Sequence, residues 1–410
     1  MQKTKNQLYQ WGNMMAHDVV VVGGGPSGAT AACELAQKGY RVALIDRLGR
    51  TKPCGGAIPP RLIEDFSIPE EQLVAKITTA RMVSPTGRKV DIPIENGFVG
   101  MVDRKDFDPF LRQRAVDAGA MLIEGTFRKI IRDADGNPRV IYRSNQDGQE
   151  HELSCQFIIG ADGARSQVAR QEVAEKDETP YVMAYHEIIK SPLADDDADY
   201  DPQRCDVIYD GRISPDFYGW VFPHGKSCSV GMGTGHDKFD LKGATSSIRQ
   251  THGLQDCETL RREGAPIPLK PLRRWDNGRD VLLAGDAAGV VAPSSGEGIY
   301  YAMMAGQVAA EVVAEALALE DASLLRKARK IFLKEHGQVF KVLGAMQNAY
   351  YRNDNRRERF VSLCHDIDVQ RLTFEAYMNK KLVGAKPMAH LKIGLKNIAH
   401  LLGLVSPQST

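Results

Sequence analysis

The 410-residue sequence holds seven cysteines, at positions 33, 54, 155, 205, 228, 257 and 364, and brings no two of them to a recognisable spacing. The absence of a CxxC, or of a Cys/His set at metal-ligand spacing, argues against a disulfide scaffold and a metal site; an odd, dispersed set fits reduced thiols in the cytoplasm. No internal repeat and no low-complexity linker interrupts the chain. Net charge is also missing: the formal value of +1 gives no global pull toward nucleic acid. No apolar run approaches the ~20 residues of a membrane span, so a soluble or peripheral protein is expected. The first 16 residues are polar, carry Lys3 and Lys5 and lack an apolar core, so they do not read as a signal peptide. Length alone suggests two or three domains. With 43% hydrophobic residues, such a chain can bury a large core without disulfides or metals.

What is present is a run of valines, Val19 to Val22, closed by Gly23-Gly24-Gly25-Pro26-Ser27-Gly28. A GxGxxG string alone is weak evidence. Here it ends a buried-looking strand, opens a helix over 29–38, and precedes a second strand, 41–45, that stops at Asp46. That is the context a dinucleotide loop needs. Gly23 serves the tight turn, Gly25 lets the backbone approach a pyrophosphate, and Gly28 lets helix and strand pack closely. The helix N-terminus offers free N–H groups and partial positive charge to phosphates. Asp46 is placed to bind a ribose hydroxyl pair. An ADP-containing cofactor is expected.

Downstream, a Pro/Gly-rich stretch at 52–60 precedes a helix over 103–119. Short strands are expected at 121–124, 127–132, 138–143 and 152–153. A buried strand, 157–159, runs into Gly160-Ala161-Asp162-Gly163-Ala164-Arg165-Ser166. Residues 181–234 alternate as strands do, with an acidic loop at 195–201 read as a solvated turn. An apolar strand at 281–284 ends in Gly285-Asp286. Then Pro293-Ser294-Ser295-Gly296-Glu297-Gly298 leads into a small-residue helix over 299–317, and 322–410 reads as largely helical. This order predicts a mixed α/β (α+β) fold, in which a Rossmann-like cofactor domain (17–80, 103–180, 273–320) is interrupted by a β-sheet substrate domain. The substrate domain takes 81–102 and 181–272, and 321–410 forms a C-terminal helical region.

An NAD dehydrogenase would not need the two later motifs. At Gly285-Asp286 a strand turns into a helix, where the carboxylate can accept from a ribityl hydroxyl and nearby amides can meet a pyrophosphate and a flavin ring. The plainer reading of Asp286 is a helix cap, and that of Asp162 is an ordinary DG turn. GxGxxG with Asp46, GADGARS at 160–166 and LLAGDAAG at 282–289 together resemble the three fingerprints of the para-hydroxybenzoate hydroxylase-like FAD superfamily. The resemblance implies bound FAD, with Arg104 of VDRKDFD supporting the flavin. It places Ser27, Arg47, Cys54, Gly55, Gly56, Gly296 and Gly298 around FAD as well, beside Gly23, Gly25, Gly28, Asp46, Asp162, Gly285 and Asp286. The superfamily includes hydroxylases, halogenases and alkene reductases, so the reaction stays open at this level.

Three longer segments narrow it: KPCGGAIPPRLI at 52–63, YGWVFPHG at 218–225 and AYMNKKLVGAKP at 376–387. They resemble the (bacterio)chlorophyll branch of the geranylgeranyl reductase family, over essentially residues 17–405. The resemblance implies saturation of three double bonds of a geranylgeranyl group to give phytyl, on the pigment ester, on geranylgeranyl diphosphate, or on both. NADPH would be the transient electron donor, since no second dinucleotide fingerprint exists. Strand alternation places Tyr218, Trp220 and Phe222 on one face, either lining a channel for the isoprenoid or forming plain core. Cys54 is the expected catalytic proton relay, or else a small residue packed between glycines. His224 either carries protons beside the substrate or is inert. Arg61, Arg81 and Arg88 are candidates for a diphosphate.

From residue 376 onward there is no acidic side chain, and Leu391, Leu395, Ile398, Leu402 and Val405 share one helical face. The segment 386–405 either docks on its own domain or lies on an anionic bilayer, which would make the protein peripheral on the photosynthetic membrane. Competing readings of the whole chain are a reductase of archaeal-type lipids or quinone tails, a flavin monooxygenase, and a pigment carrier that kept the fold.

Overall fold

In the computed structural model the described residues are 17–95, 97–173, 180–193 and 198–378. The chain opens on β1 (Val19–Val22), α1 (Pro26–Gln37) and β2 (Val42–Asp46). All four valines of β1 are buried because the strand has a parallel neighbour on each side. Pro26 starts α1, where its missing N–H would have found no intrahelical partner anyway.

The chain then crosses toward a second layer through β3 (Ala57–Ile58), α2 (Pro60–Asp65), β4 (Ala75–Ile77), β5 (Thr79–Val83), β6 (Lys89–Pro93) and β7 (Val99–Met101). It returns with α3 (Arg104–Asp117), β8 (Met121–Arg132), β9 (Pro138–Ser144), β10 (Glu150–Ser154), β11 (Phe157–Gly160) and α4 (Gln167–Glu172). The middle of the chain supplies β12 (Tyr181–Lys190), β13 (Arg204–Ile208), β14 (Gly219–His224), β15 (Ser227–Thr234), α5 (Leu241–Thr251) and β16 (Thr259–Pro268). Last come β17 (Val281–Leu283), α6 (Ile299–Leu319), α7 (Lys327–Tyr350), α8 (Asp354–Leu363) and α9 (Ile367–Met378).

Two seven-stranded sheets result, ordered β10-β9-β8-β2-β1-β11-β17 and β16-β12-β15-β14-β13-β5-β6, with a small sheet β3-β7-β4 between them in sequence. The first sheet is parallel from β8 to β17, so β1, β11 and β17 present the ends of all three motif loops on the same edge. Ligands bind beyond the carboxyl ends of such strands. The two strands expected at 121–124 and 127–132 are one, β8. Gly125 and Thr126, where the sequence looks divided, stay paired with β9, and the register slips only between Phe127 and Lys129. Of the segment 81–102, β6 joins the substrate sheet, whereas β7 lies in the small sheet.

Among the described residues α6 is the helix long and apolar enough to cross a membrane. It is nevertheless a core helix. Gly306 lets it meet the start of α1 so closely that a Cβ there would stand 2.2 Å from the Ser27 carbonyl oxygen. The C-terminal helices close the substrate sheet, Phe360 and Tyr351 joining Tyr209, Tyr218 and Trp220 in one apolar cluster. Residues 386–405, and with them the expected basic amphipathic face, lie outside the described residues.

Candidate functional site

The β1–α1 turn builds one end of the site. Gly23 has φ +103°, a conformation that β-carbon-bearing residues rarely adopt, and a Cβ on Gly28 would stand 1.8 Å from the Gly23 carbonyl oxygen. Gly25 is different. The nearest atom to a Cβ placed there is Arg104 Nη2 at 3.9 Å, so the position opens into a cavity. Ser27 Oγ is buried with no hydrogen-bond partner among the described residues, and Gly285 packs against its side chain. Asp46 accepts from the Gly24 N–H at 2.7 Å and stands 3.7 Å from Arg112. An orphaned buried hydroxyl, an open glycine cradle and a helix N-terminus fit the pyrophosphate of an ADP-bearing group. The carboxylates of Asp46 and Asp286 fit its hydroxyls. Asp286 is held by Lys52 at the cavity wall, and the α6 N-terminus with Gly296 and Gly298 lies beside it.

One continuous cavity of about 690 Å³ takes in this cradle and a second, apolar half. Of the expected site residues it is lined by Gly23, Gly25, Ser27, Asp46, Arg47, Cys54, Gly55, Gly56, Arg104, Asp162, Asp286, Gly296, Gly298, Tyr218, Trp220 and Phe222. Gly28 and Gly285 sit just behind it, packing the turn and Ser27.

Cys54 lies where the two halves meet, on the loop between β2 and β3. Its Sγ accepts from the Gly56 N–H at 3.4 Å, and the Arg104 guanidinium lies near enough to feel it. Arg104 is the first residue of α3 and is 5% exposed. Burial weighs against its charge, but Asp108, bonded through Nη2 at 2.8 Å, more than offsets this and holds Arg104 above its ordinary pKa. The apolar half is a wall of rings. Phe217 stacks on Tyr218 with centroids 4.3 Å apart, and Tyr218, Trp220 and Phe222 follow at 6.0 and 6.1 Å. The Tyr218 hydroxyl donates to the Ser295 carbonyl, tying this wall to the loop before α6.

The geometry corrects two expectations, for His224 and for the three arginines, and adds a local role for Asp162. His224 does not line the cavity: it ends β14 behind the Gly55-Gly56 turn, with Nδ1 3.0 Å from the Phe222 carbonyl oxygen, and burial lowers its pKa. Asp162 lines the cavity, and its carboxylate is also tied up locally. It caps α4, accepting from Gln167 N at 2.6 Å, from Val168 N at 3.2 Å and from the Ser166 hydroxyl. Burial raises its pKa against those bonds. Arg61, Arg81 and Arg88 are engaged away from the cavity, in ion pairs with Asp65, Asp91 and Glu358. The basic groups on the cavity wall are instead Arg47, Arg50, Lys52, Arg104, Arg112 and Arg165.

Sequence reasoning missed His186, Tyr209 and Phe360, which line the apolar half from β12, the end of β13 and α8. No local pattern marks them, because strand order and not sequence distance brings them to Trp220. Asp199, Asp206 and His252 cluster as metal ligands can. Arg204 already pairs with both carboxylates at 2.9 and 2.7 Å, and Lys89 and Arg81 hold Asp199 at 2.6 and 3.1 Å. With that many cations in place, the group is an ion-pair knot joining β5, β6 and β13.

A family model described as an FAD binding domain matches residues 16–194. The chain is 61% identical, over 97% of its own length and all of the relative's, to geranylgeranyl diphosphate reductase of Rhodobacter capsulatus. It is 38% identical to the chloroplastic geranylgeranyl diphosphate reductase of Nicotiana tabacum, over 94% of this chain and 85% of that one. The fold is shared with a crystal structure of a geranylgeranyl bacteriochlorophyll reductase-like protein from Thermoplasma acidophilum. That structure has a TM-score of 0.78 at 23% identity, covering 92% of this chain and all of that one.

Proposed function

The chain belongs to the geranylgeranyl reductase family, and on that footing we propose that it uses NADPH to saturate three double bonds of a geranylgeranyl group, giving phytyl. It is an FAD-dependent oxidoreductase that acts on carbon–carbon double bonds of geranylgeranyl chains. The single observation that carries the finer reading is the continuity of the cavity, from the Gly25 cradle to the rings of Tyr218, Trp220 and Phe222, with Cys54 at the junction. Ser27 and the α1 amides would hold the pyrophosphate of FAD, Asp46 and Asp286 its hydroxyls, and the Cys54-Gly55-Gly56 loop and Arg104 would flank its ring.

When bound, FAD supplies the hydride chemistry. The protein's own part is to hold an apolar, uncharged chain against the aromatic wall, to keep water from it, and to deliver a proton. We assign that proton to the Cys54 thiol. The S–H bond breaks as a C–H bond forms at the second carbon, and solvent returns a proton to the thiolate. The basic groups at the cavity mouth, Arg47, Arg50 and Arg165, suit a substrate or donor that carries phosphate. Segment 386–405 is assigned to the membrane surface, and loss of co-sedimentation with anionic liposomes on truncation after residue 385 tests that.

The reaction itself is tested by mass spectrometry of pigment ester and of geranylgeranyl diphosphate after incubation with the protein and NADPH. Stepwise gain of paired hydrogens on either supports the reading. Product from the diphosphate alone would restrict it to the free substrate.

A further inference from the structure

A chain of hydrogen bonds runs behind the aromatic wall. Trp220, 5% exposed, donates its indole Nε1–H to Ser229 Oγ at 3.0 Å. Ser229, fully buried, stands 2.8 Å from His186 Nδ1, and His186 Nε2 stands 3.1 Å from Glu263 Oε2. Arg261 pairs with the other Glu263 oxygen at 3.0 Å. It also reaches Asp103, the residue that caps α3 just ahead of Arg104, at 3.7 Å.

One arrangement of protons satisfies every member of the chain. An indole can only donate, so Ser229 Oγ accepts from it, and the hydroxyl proton is then satisfied by donation to Nδ1. That leaves the imidazole proton on Nε2, donated to Glu263. Burial works against the Glu263 charge, but His186 and Arg261 hold its pKa below the ordinary carboxylate value. The backbone makes room for the arrangement at Gly231, where a Cβ would stand 2.6 Å from Trp220 Cζ2 and 2.5 Å from His186 Cβ. His186 and Trp220 both line the cavity, and the far end of the chain reaches the helix whose first residue, Arg104, lines it together with Cys54.

We propose that His186 and Ser229 are positioning residues: they fix the Trp220 indole, and the fixed indole sets which double bond of the substrate chain is held at the Cys54 junction. This rests on the reading that an isoprenoid occupies the cavity. Reducing several double bonds requires the chain to stop at several registers. A wall whose rings swung freely would blur those stops, because a freed indole N–H would turn to find water or another acceptor.

The test combines indole NMR with product analysis. The protein has three tryptophans, and Trp220→Phe assigns the Trp220 Nε1–H signal in ¹⁵N-labelled protein. Ser229→Ala and His186→Leu are expected to shift that signal and speed its hydrogen exchange by about tenfold or more. In turnover both should release partly reduced tails and raise KM, with FAD content unchanged. His186→Gln keeps one acceptor and one donor, and should restore the signal and the products. An unmoved Trp220 signal in Ser229→Ala and His186→Leu overturns the proposal. So do wild-type products from variants whose indole has moved. A wild-type protein that saturates no isoprenoid defeats the underlying reading instead, a result distinct from an active enzyme indifferent to these substitutions.

Discussion

The backbone of Gly55 lies against the ring of Phe222, so close that a methyl group at position 55 would stand 3.2 Å from Cδ2. Through this contact the cysteine loop of the cofactor half touches the aromatic wall of the substrate half. Gly55→Ala forces the ring to yield by a few tenths of an ångström, and a larger side chain must displace it. Steady-state kinetics on the FAD-loaded fraction should show KM rising severalfold in Gly55→Ala and further in Gly55→Val. An unchanged KM in Gly55→Val would mean that the substrate does not pass this point.

The mechanism proposed above assigns the proton to Cys54. Cys54→Ser should keep the flavin and its spectrum while turnover falls by roughly a hundredfold or more, the usual range for removing a positioned acid. Turnover equal to wild type would assign the proton to another group.

The cofactor cradle is testable without turnover. A side chain at position 25 projects into the space left open beneath the β1–α1 turn, so Gly25→Val should purify without flavin absorbance while remaining folded. Ser27→Ala removes one buried donor and should weaken FAD binding by about tenfold, measured by fluorescence titration of the apoprotein. Equal affinity in Ser27→Ala would mean that the orphaned hydroxyl does not meet the phosphates.

Asp199 links stability to acid. Burial alone would raise its pKa, but Lys89 and Arg204 outweigh this and bring it from an ordinary 3.8 down to about 2. A carboxylate depressed in the folded state stabilises above its unfolded pKa, and that contribution fades as pH falls through the folded one. Melting temperature should therefore drop between about pH 4 and pH 2, and Asp199→Asn should flatten that limb. Identical acid limbs in the two proteins would show that the knot contributes nothing.

Much of the cofactor half is legible in the sequence because its signals are local. The valine strand, Gly23 to Gly28 and Asp46 form one supersecondary unit, and Asp286 follows directly from a buried strand. The aromatic stripe is also local, since Tyr218 stands just ahead of β14 and Trp220 and Phe222 alternate along it. What the sequence hides depends on distant partners. A DG turn looks the same whether its carboxylate meets a ribose or caps the next helix, as Asp162 does. His224 follows the stripe in sequence, yet lies behind the Gly56 backbone. Arg61, Arg81 and Arg88 are drawn off by acidic neighbours, two of them on other elements of the fold. His186 and Phe360 reach the cavity only through strand order and the packing of α8.

The most direct measurement is the mass of the isoprenoid after incubation of the purified flavoprotein with NADPH and geranylgeranyl substrate in air. A chain-saturating reductase predicts successive gains of paired hydrogens, up to three pairs, with the tail otherwise unchanged. A hydroxylated product formed with oxygen consumption would contradict it, and would make the same cavity that of a monooxygenase.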